Sequence, residues 1–247
     1  MGHTMNLHQS YSTADTEADR QRLDKDPLLH QNDIGFWDRN VTFGQASVLT
    51  RTGCDVLGDK GNLIASAPVA LTMCGHGGSV HGQPAELWRR CATIELGSDS
   101  ANWSSGFDLR QQISRAKLEA RGVYGVRHFL IAEGGLSMAT GAGARAAGRE
   151  DSFGRLEADK RADIVTNRLD RPERVHSTDM IRNLDHAPRS RSVHVVVING
   201  RIVLKAGRFP NRAERSTVVD IRAAAAGLFR QMGCMVKLNQ LSPRTIR

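Results

Sequence analysis

The chain reads VTFGQASVLTRTGCDVLGDKGNLIASAP at residues 41–68, and this stretch decides its fold class. Two short apolar segments, 41–46 and 62–68, have the composition of buried strands. The segment between them, 47–57, has the pattern of a short helix. Pro68 ends the second strand. A strand, a crossover helix and another strand form the unit from which parallel sheets are built.

The same alternation extends in both directions. HTMNLH (3–8) and ATIELGS (92–98) are predicted as two further strands, which gives an α/β fold with a parallel sheet. Further helical patterns in the first 147 residues cover 12–38 with a break at Asp26-Pro27, 84–90, 108–121 and 128–147, and loops are predicted at 74–82 and 100–106.

Polar side chains stand where the predicted parallel strands end. His8, Gln45 and Asp99 take this position on three of the four strands. In parallel α/β folds the active site lies at the carboxyl ends of the strands. The spacing alone therefore selects these three residues as candidates.

The pattern changes after about residue 150. Residues 162–169, 192–198 and 201–207 are predicted strands, and Asn199-Gly200 is a strong hairpin signal between the last two. A terminal helix is predicted over 213–235. We expect one domain over 1–147 and a second over 148–247.

Charge and composition restrict the function classes. The net charge is +8, but residues 1–100 are net acidic and the arginines are scattered, so a nucleic-acid partner is not favoured. Apolar stretches fall short of the roughly 20 residues of a membrane span, and the first residues lack a signal-peptide pattern. Four widely spaced cysteines indicate reduced thiols. We expect a cytoplasmic protein.

Two longer runs carry a family resemblance. ELGSDSANWSSGFDL (95–109) is similar to the last barrel strand and loop of the amidohydrolase superfamily, in its metal-dependent deaminase and chlorohydrolase-like (cytosine deaminase-like) group. A G-x-L-x-x-x-K-x-A-D pattern follows, beginning at Gly154 and ending at Asp163. HTMNLHQS (3–10) resembles the histidine-bearing fifth strand, and VVVINGRIVLKAGRF (195–209) resembles the family's returning hairpin.

The resemblance implies a fold and a reaction. The chain would form the carboxyl-terminal half of a (β/α)8 TIM-like barrel with part of a small β-sandwich. A divalent metal, zinc or iron, would activate water to hydrolyse a non-peptide C–N bond in a small molecule, as in deamination or cyclic amide cleavage. His8 would be the strand-five ligand, and Asp99 the strand-eight ligand and catalytic base. Gln45 stands where strand six normally carries a histidine ligand.

Further residues would border the substrate pocket. Tyr11 stands where many of these deaminases carry a glutamate that helps to move protons. The other predicted pocket residues lie in the Gly/His loop and in the loop after Asp99, and they are His76, His81, Asn102 and Trp103.

The sequence also departs from the family pattern. It contains no H-x-H pair, and two good ligands do not normally hold a catalytic zinc. We therefore expect the chain to be a truncated form with little or no activity. The main alternative is a non-catalytic binding or scaffold protein, which would form a homo-oligomer. A basic nucleic-acid binder is the third hypothesis.

Overall fold

The computed structural model describes residues 5–38, 41–76, 89–90, 93–104, 106–126, 129–170, 179–186, 192–210 and 214–233. Most of the predicted helix 84–90 lies outside these residues, and so does the predicted pocket residue His81. By contacts the chain divides into two compact units. The first comprises Met1–Asp163 and Arg168–Ser192, and the second comprises Ile164–Asn167 and Val193–Arg247. The domain boundary that we placed after residue 147 remains a prediction.

A parallel sheet of four strands organises the first unit. The strands follow the chain order and are β1 (Met5–Gln9), β2 (Val41–Gln45), β3 (Leu63–Ser66) and β4 (Thr93–Leu96). This arrangement confirms the predicted α/β class with a parallel sheet. All carboxyl ends of these strands lie at the same edge of the sheet.

Helices occupy most of the segments between and after the strands. They are α1 (Thr13–Leu23), α2 (Pro27–Asp33), α3 (Arg51–Lys60), α4 (Pro68–Met73), α5 (Ala101–Ser104), α6 (Leu109–Tyr124), α7 (Ala132–Met138), α8 (Gly141–Ala146) and α9 (Met180–His186). Among the described residues, no helix is long and apolar enough to cross a membrane.

The two faces of the sheet differ in chemistry. Phe43, Ile64 and Ile94 are paired in register on one face and are almost fully buried in the hydrophobic core. Side chains alternate along a strand, so the next register row lies on the opposite face. That row runs His8, Gly44, Ala65 and Glu95 across the four strands. Its two central members are small, and its two outer members are polar.

An antiparallel sheet forms the second unit. Its strands are β5 (Ile164–Asn167), β6 (Val193–Ile198) and β7 (Arg201–Lys205), in that order. Asn199 and Gly200 have φ of 50° and 75°, and two positive φ values are what the tight hairpin between β6 and β7 requires. The helix α10 (Glu214–Gln231) follows. The hairpin and the terminal helix were both predicted.

Two helix predictions were wrong in their extent. The single helix expected over 128–147 is two helices, because Thr140 (φ −132°, ψ −88°) leaves the helical region. The helix expected over 47–57 begins only at Arg51. Residues 47 and 48 instead hold the segment that follows β1. The Ser47 hydroxyl donates to the Tyr11 carbonyl, and the Val48 amide donates to the Ser10 carbonyl. The short helices α4, α5 and α9 were not predicted.

Candidate functional site at the carboxyl ends of the parallel strands

Unusual backbone geometry marks the strand ends. Ser10, Gln45, Ala46 and Asp99 all have positive φ, between 38° and 67°. A residue with a Cβ rarely adopts this region, which costs of order 1 kcal/mol or more and recurs at functional sites. These four residues follow or end strands β1, β2 and β4. The strained positions therefore coincide with the edge that carries the candidate residues.

A hydrogen bond joins two of the candidate residues. Gln45 Nε2 donates to Asp99 Oδ2 over 3.1 Å, and Gln45 Oε1 accepts from the Ala67 amide over 3.4 Å. Gln45 is buried, whereas Asp99 is exposed to solvent. The carboxamide is thus held at both of its polar atoms, and it fixes one carboxylate oxygen of Asp99.

His8 lies over the neighbouring strand. A Cβ placed on Gly44 would be 3.1 Å from His8 Nε2 and 3.2 Å from its Cδ2. Any side chain at position 44 would therefore press on the imidazole. The glycine leaves room for the ring of His8, which is exposed on this face of the sheet.

Three of the predicted pocket and ligand residues form an aromatic cluster. The Tyr11 ring meets the His8 ring edge-on with centroids 5.7 Å apart, and it meets the His76 ring in the same way at 5.3 Å. The Tyr11 phenol is hydrogen-bonded to the Asp15 carboxylate, and this bond raises the pKa of the phenol. The structure brings His8, Tyr11 and His76 together, although 65 residues separate Tyr11 from His76 in the numbering.

Cys74 is one of the four cysteines that the sequence indicates to be reduced thiols. It is only half-buried, and burial followed by the negative charge of Asp99 raises its pKa. Cys74 therefore lies within electrostatic reach of Asp99. The sequence carried no sign of this proximity, because the thiol comes from the end of helix α4, which was not predicted.

Asn102 and Trp103 lie on the short helix α5, and both are exposed. Asn102 is hydrogen-bonded to the Ser100 hydroxyl. The Trp103 side chain is exposed, and its predicted place at the border of the substrate pocket stays a prediction. The same holds for the roles assigned to the other candidate residues.

Glu95 was not selected from the sequence. It occupies the same register row as His8, at the far side of the sheet, and its carboxylate lies beside Gly143 of α8. Burial raises its pKa to about 7. The sequence did not indicate this residue, because the burial of a glutamate within a strand depends on which elements pack against that strand.

The donor set for a metal ion is small in this chain. Among the described residues no group of three or more His, Cys, Asp or Glu side chains is placed to hold a metal ion. His8 and Asp99 are two donors of the kind that zinc or iron accepts. Both polar atoms of Gln45 are already engaged in hydrogen bonds. The described residues thus do not complete a metal site by themselves.

Comparison with known sequences supports the resemblance to amidohydrolases. The model of the Amidohydrolase family matches residues 85–203. A 5-methylthioadenosine/S-adenosylhomocysteine deaminase from Moorella thermoacetica is 27% identical over 207 residues, which cover 84% of this chain and 48% of the relative. The enzyme of that name from Symbiobacterium thermophilum is 24% identical over 233 residues, with 94% and 53% covered.

Solved structures show the same fold. An adenosine deaminase from Xanthomonas campestris with bound zinc has a TM-score of 0.86 at 20% identity, covering 92% of this chain and 51% of that chain. Atrazine chlorohydrolase from Arthrobacter aurescens with zinc has a TM-score of 0.78 at 24% identity, with 89% and 48% covered. This chain spans about half the length of the curated relatives that it matches.

These similarities show the class of fold, which is an α/β fold shared with deaminases and chlorohydrolases that act on small molecules. Within that class, residues 85–203 match the model of the Amidohydrolase family. The resemblance inferred from the runs at 95–109 and 154–163 is confirmed.

Proposed function

We propose that this chain takes part in the hydrolysis of a non-peptide C–N bond in a small molecule, such as the loss of an amino group from a ring. The observation that carries the proposal is the Asp99 carboxylate. It is exposed at a strand end, on a backbone with positive φ, and it is held by Gln45. The names of the relatives favour a purine nucleoside as the substrate class.

The reaction consumes one water and releases one ammonia. The water oxygen forms a bond to the ring carbon, and the C–N bond to the amino group breaks. Asp99 accepts a proton from the water and returns it to the departing nitrogen, as a general base and then a general acid. Gln45 keeps Oδ2 in place during both transfers, and the Ser100 amide donates to Oδ1.

Zinc is the cofactor that the solved relatives suggest, and iron is the other metal that the sequence resemblance implies. Of the ligands proposed from the sequence, we retain His8 and Asp99. We assign Gln45 to positioning Asp99, since its amide is already bonded on both sides. Because two donors do not normally hold a catalytic zinc, no step proposed here runs through a metal, and we expect turnover by this chain to be slow.

Several finer points belong to the same proposal. The parallel sheet would be half of a (β/α)8 barrel, and the antiparallel sheet would be part of a β-sandwich. Tyr11, His76, Asn102 and Trp103 would line the pocket. The cytoplasm is the expected location.

Ammonia release from adenosine, with and without added zinc, tests the proposal. We expect slow release that Asp99→Asn lowers by about 100-fold, the usual contribution of a general acid–base group. Asp159→Asn is the matched control, because Asp159 also has a positive φ (68°) and loses the same charge elsewhere in the unit. It should retain the rate of the unmodified chain.

Equal rates in the Asp99 and Asp159 variants would contradict the role of Asp99. Binding of adenosine without any ammonia release would instead favour the second candidate, a binding protein that retains the fold. The partly exposed His8–Tyr11–His76 cluster is the observation that favours this second candidate.

A further inference from the structure

Tyr11 is held from three sides at the candidate site. Its ring lies edge-on to His8 and to His76, and its hydroxyl is bonded to Asp15. The residue is only half-buried, so part of its side chain is exposed at this edge of the sheet. Many of the deaminases that the sequence resembles carry a glutamate at this position, and a phenol differs from a carboxylate because it can also donate a hydrogen bond.

The position of Asp15 follows from the start of helix α1. Ser12 is the N-cap of α1, and its hydroxyl oxygen accepts from the Asp15 amide over 3.2 Å. The same hydroxyl donates to Asp15 Oδ2. The Asp15 carboxylate thus accepts from the Ser12 hydroxyl, rather than from the N-cap amide as in a capping box, and this bond fixes it next to Tyr11.

The direction of the Tyr11–Asp15 bond follows from the charge of Asp15. The hydrogen bonds from Ser12 and then Tyr11, and the neighbouring His76, lower the pKa of Asp15. An ionised carboxylate can only accept hydrogen bonds, so the phenol must donate its proton to Asp15. The proton of Tyr11 is therefore occupied, and the lone pairs of its oxygen remain for a ligand.

We propose that Tyr11 determines specificity at this site by accepting a hydrogen bond from the amino group of a ring substrate. This inference rests on the proposed function, because it names the group by which that site recognises its ligand. It assigns Asp15 the role of a positioning residue that acts through Tyr11. A phenol free to rotate would donate to a carbonyl as readily as it accepts from an amine.

The test measures dissociation constants of two nucleosides with the full chain by calorimetry. Adenosine carries the amino group, and purine riboside has the same ring and sugar without it. We expect adenosine to bind roughly 2- to 10-fold more tightly, the range of a single net hydrogen bond. In Tyr11→Phe this preference should disappear while the affinity for purine riboside is unchanged, because the ring remains in place.

Asp15→Ala supplies the second arm, with inosine as a third probe because it carries a carbonyl oxygen at the same ring position. Once the phenol proton is released, we expect the preference to move from adenosine toward inosine. A purely structural role of Asp15 would weaken all three nucleosides alike. Thermal unfolding of each variant, measured alongside, shows whether the fold is retained.

The outcomes separate the two proposals. An adenosine preference that persists unchanged in a folded Tyr11→Phe variant overturns the inference and leaves the proposed function standing. Failure of the unmodified chain to bind either nucleoside contradicts the purine-directed function, and the inference falls with it.

Discussion

Gln45 and Asp99 are joined by a side-chain hydrogen bond of 3.1 Å, although they lie 54 residues apart in the chain. Gln45 ends strand β2, and Asp99 follows strand β4. The family pattern places a histidine at the position of Gln45. A neutral amide here donates to the carboxylate where an imidazole nitrogen would be free to meet a metal ion.

Replacing this amide by imidazole should create a third metal donor. We expect Gln45→His to bind zinc at least about tenfold more tightly than the unmodified chain, a gain of about 1.4 kcal/mol. Calorimetric titration with zinc chloride measures the difference. Gln45→Ala is the control, since it removes the bond to Asp99 without adding a donor. Equal zinc affinities in all three proteins would contradict the placement of position 45 beside the His8 and Asp99 donors.

Glu95 should make stability depend on pH. Because its pKa in the folded chain is raised to about 7 from 4.5, the folded state holds this proton more strongly than the unfolded state. Stability from this group is present below about pH 4.5 and is lost as pH rises to about 7. Glu95→Gln removes the dependence and should be the more stable protein above pH 7.

Thermal unfolding temperatures measured from about pH 4 to about pH 8 check this expectation. This range contains the pKa of Glu95 in both the folded and the unfolded chain. Glu17→Gln, a change at an exposed carboxylate on α1, serves as the control. Parallel curves for the unmodified chain and Glu95→Gln would count against the burial of this carboxylate.

Lys117 on α6 should oppose folding at neutral pH. The residue is buried, and burial, followed by the positive charges of Arg121 and Arg182, lowers its pKa to about 8 from 10.5, although the negative charge of Glu133 opposes this shift. The stability associated with neutral Lys117 is therefore lost as pH falls from about 10.5 to about 8. Lys117→Met keeps the length of the side chain without its charge, and we expect it to raise the free energy of unfolding by on the order of 1 kcal/mol at pH 7.

Urea unfolding at pH 7 measures the effect of Lys117→Met. Lys160→Met should have the opposite sign, because Lys160 Nζ donates to the Glu150 carbonyl over 2.8 Å and pairs with Glu157. A loss of stability in both variants would show that the Lys117 ammonium is compensated in the fold.

Ser12→Ala should weaken the start of α1. It removes both hydrogen bonds of the capping arrangement with Asp15, and the loss of an N-cap typically costs about 1 kcal/mol. Urea unfolding gives the change in free energy. Thr52→Ala, at an exposed residue within α3, is the comparison and should alter stability little. A Ser12 variant as stable as the Thr52 variant would argue that Asp15 is held by other contacts.

Local sequence patterns were sufficient to predict the strands, the hairpin and the edge of the sheet that carries the candidate site. The strands at 41–45 and 63–66 were readable because short apolar runs were bounded by a helical pattern and by Pro68. The Asn199-Gly200 hairpin depended on two adjacent residues and was equally local. His8, Gln45 and Asp99 could be selected because parallel strands direct their ends to one edge.

The contacts within the site could not be predicted in this way. The bond from Gln45 to Asp99, the nearness of Cys74 to Asp99 and the burial of Glu95 all depend on segments brought together by folding. The break at Thr140 was missed because the alanines around it favour a helix, although the adjoining Gly141 and Gly143 do not. Backbone strain at Gln45 and Asp99 likewise has no sequence signal, because neither residue is glycine.

The positive φ values at Ser10, Gln45 and Asp99 also affect how this edge can be redesigned. In a library randomised at these positions, selection for folding alone will enrich glycine, asparagine and aspartate, since these residues tolerate left-handed backbone best. This enrichment, caused by the backbone alone, could be mistaken for enrichment caused by ligand binding. A screen for new substrates therefore gains more from varying neighbours with ordinary backbone, such as Tyr11 and Trp103, than from varying the three strand ends.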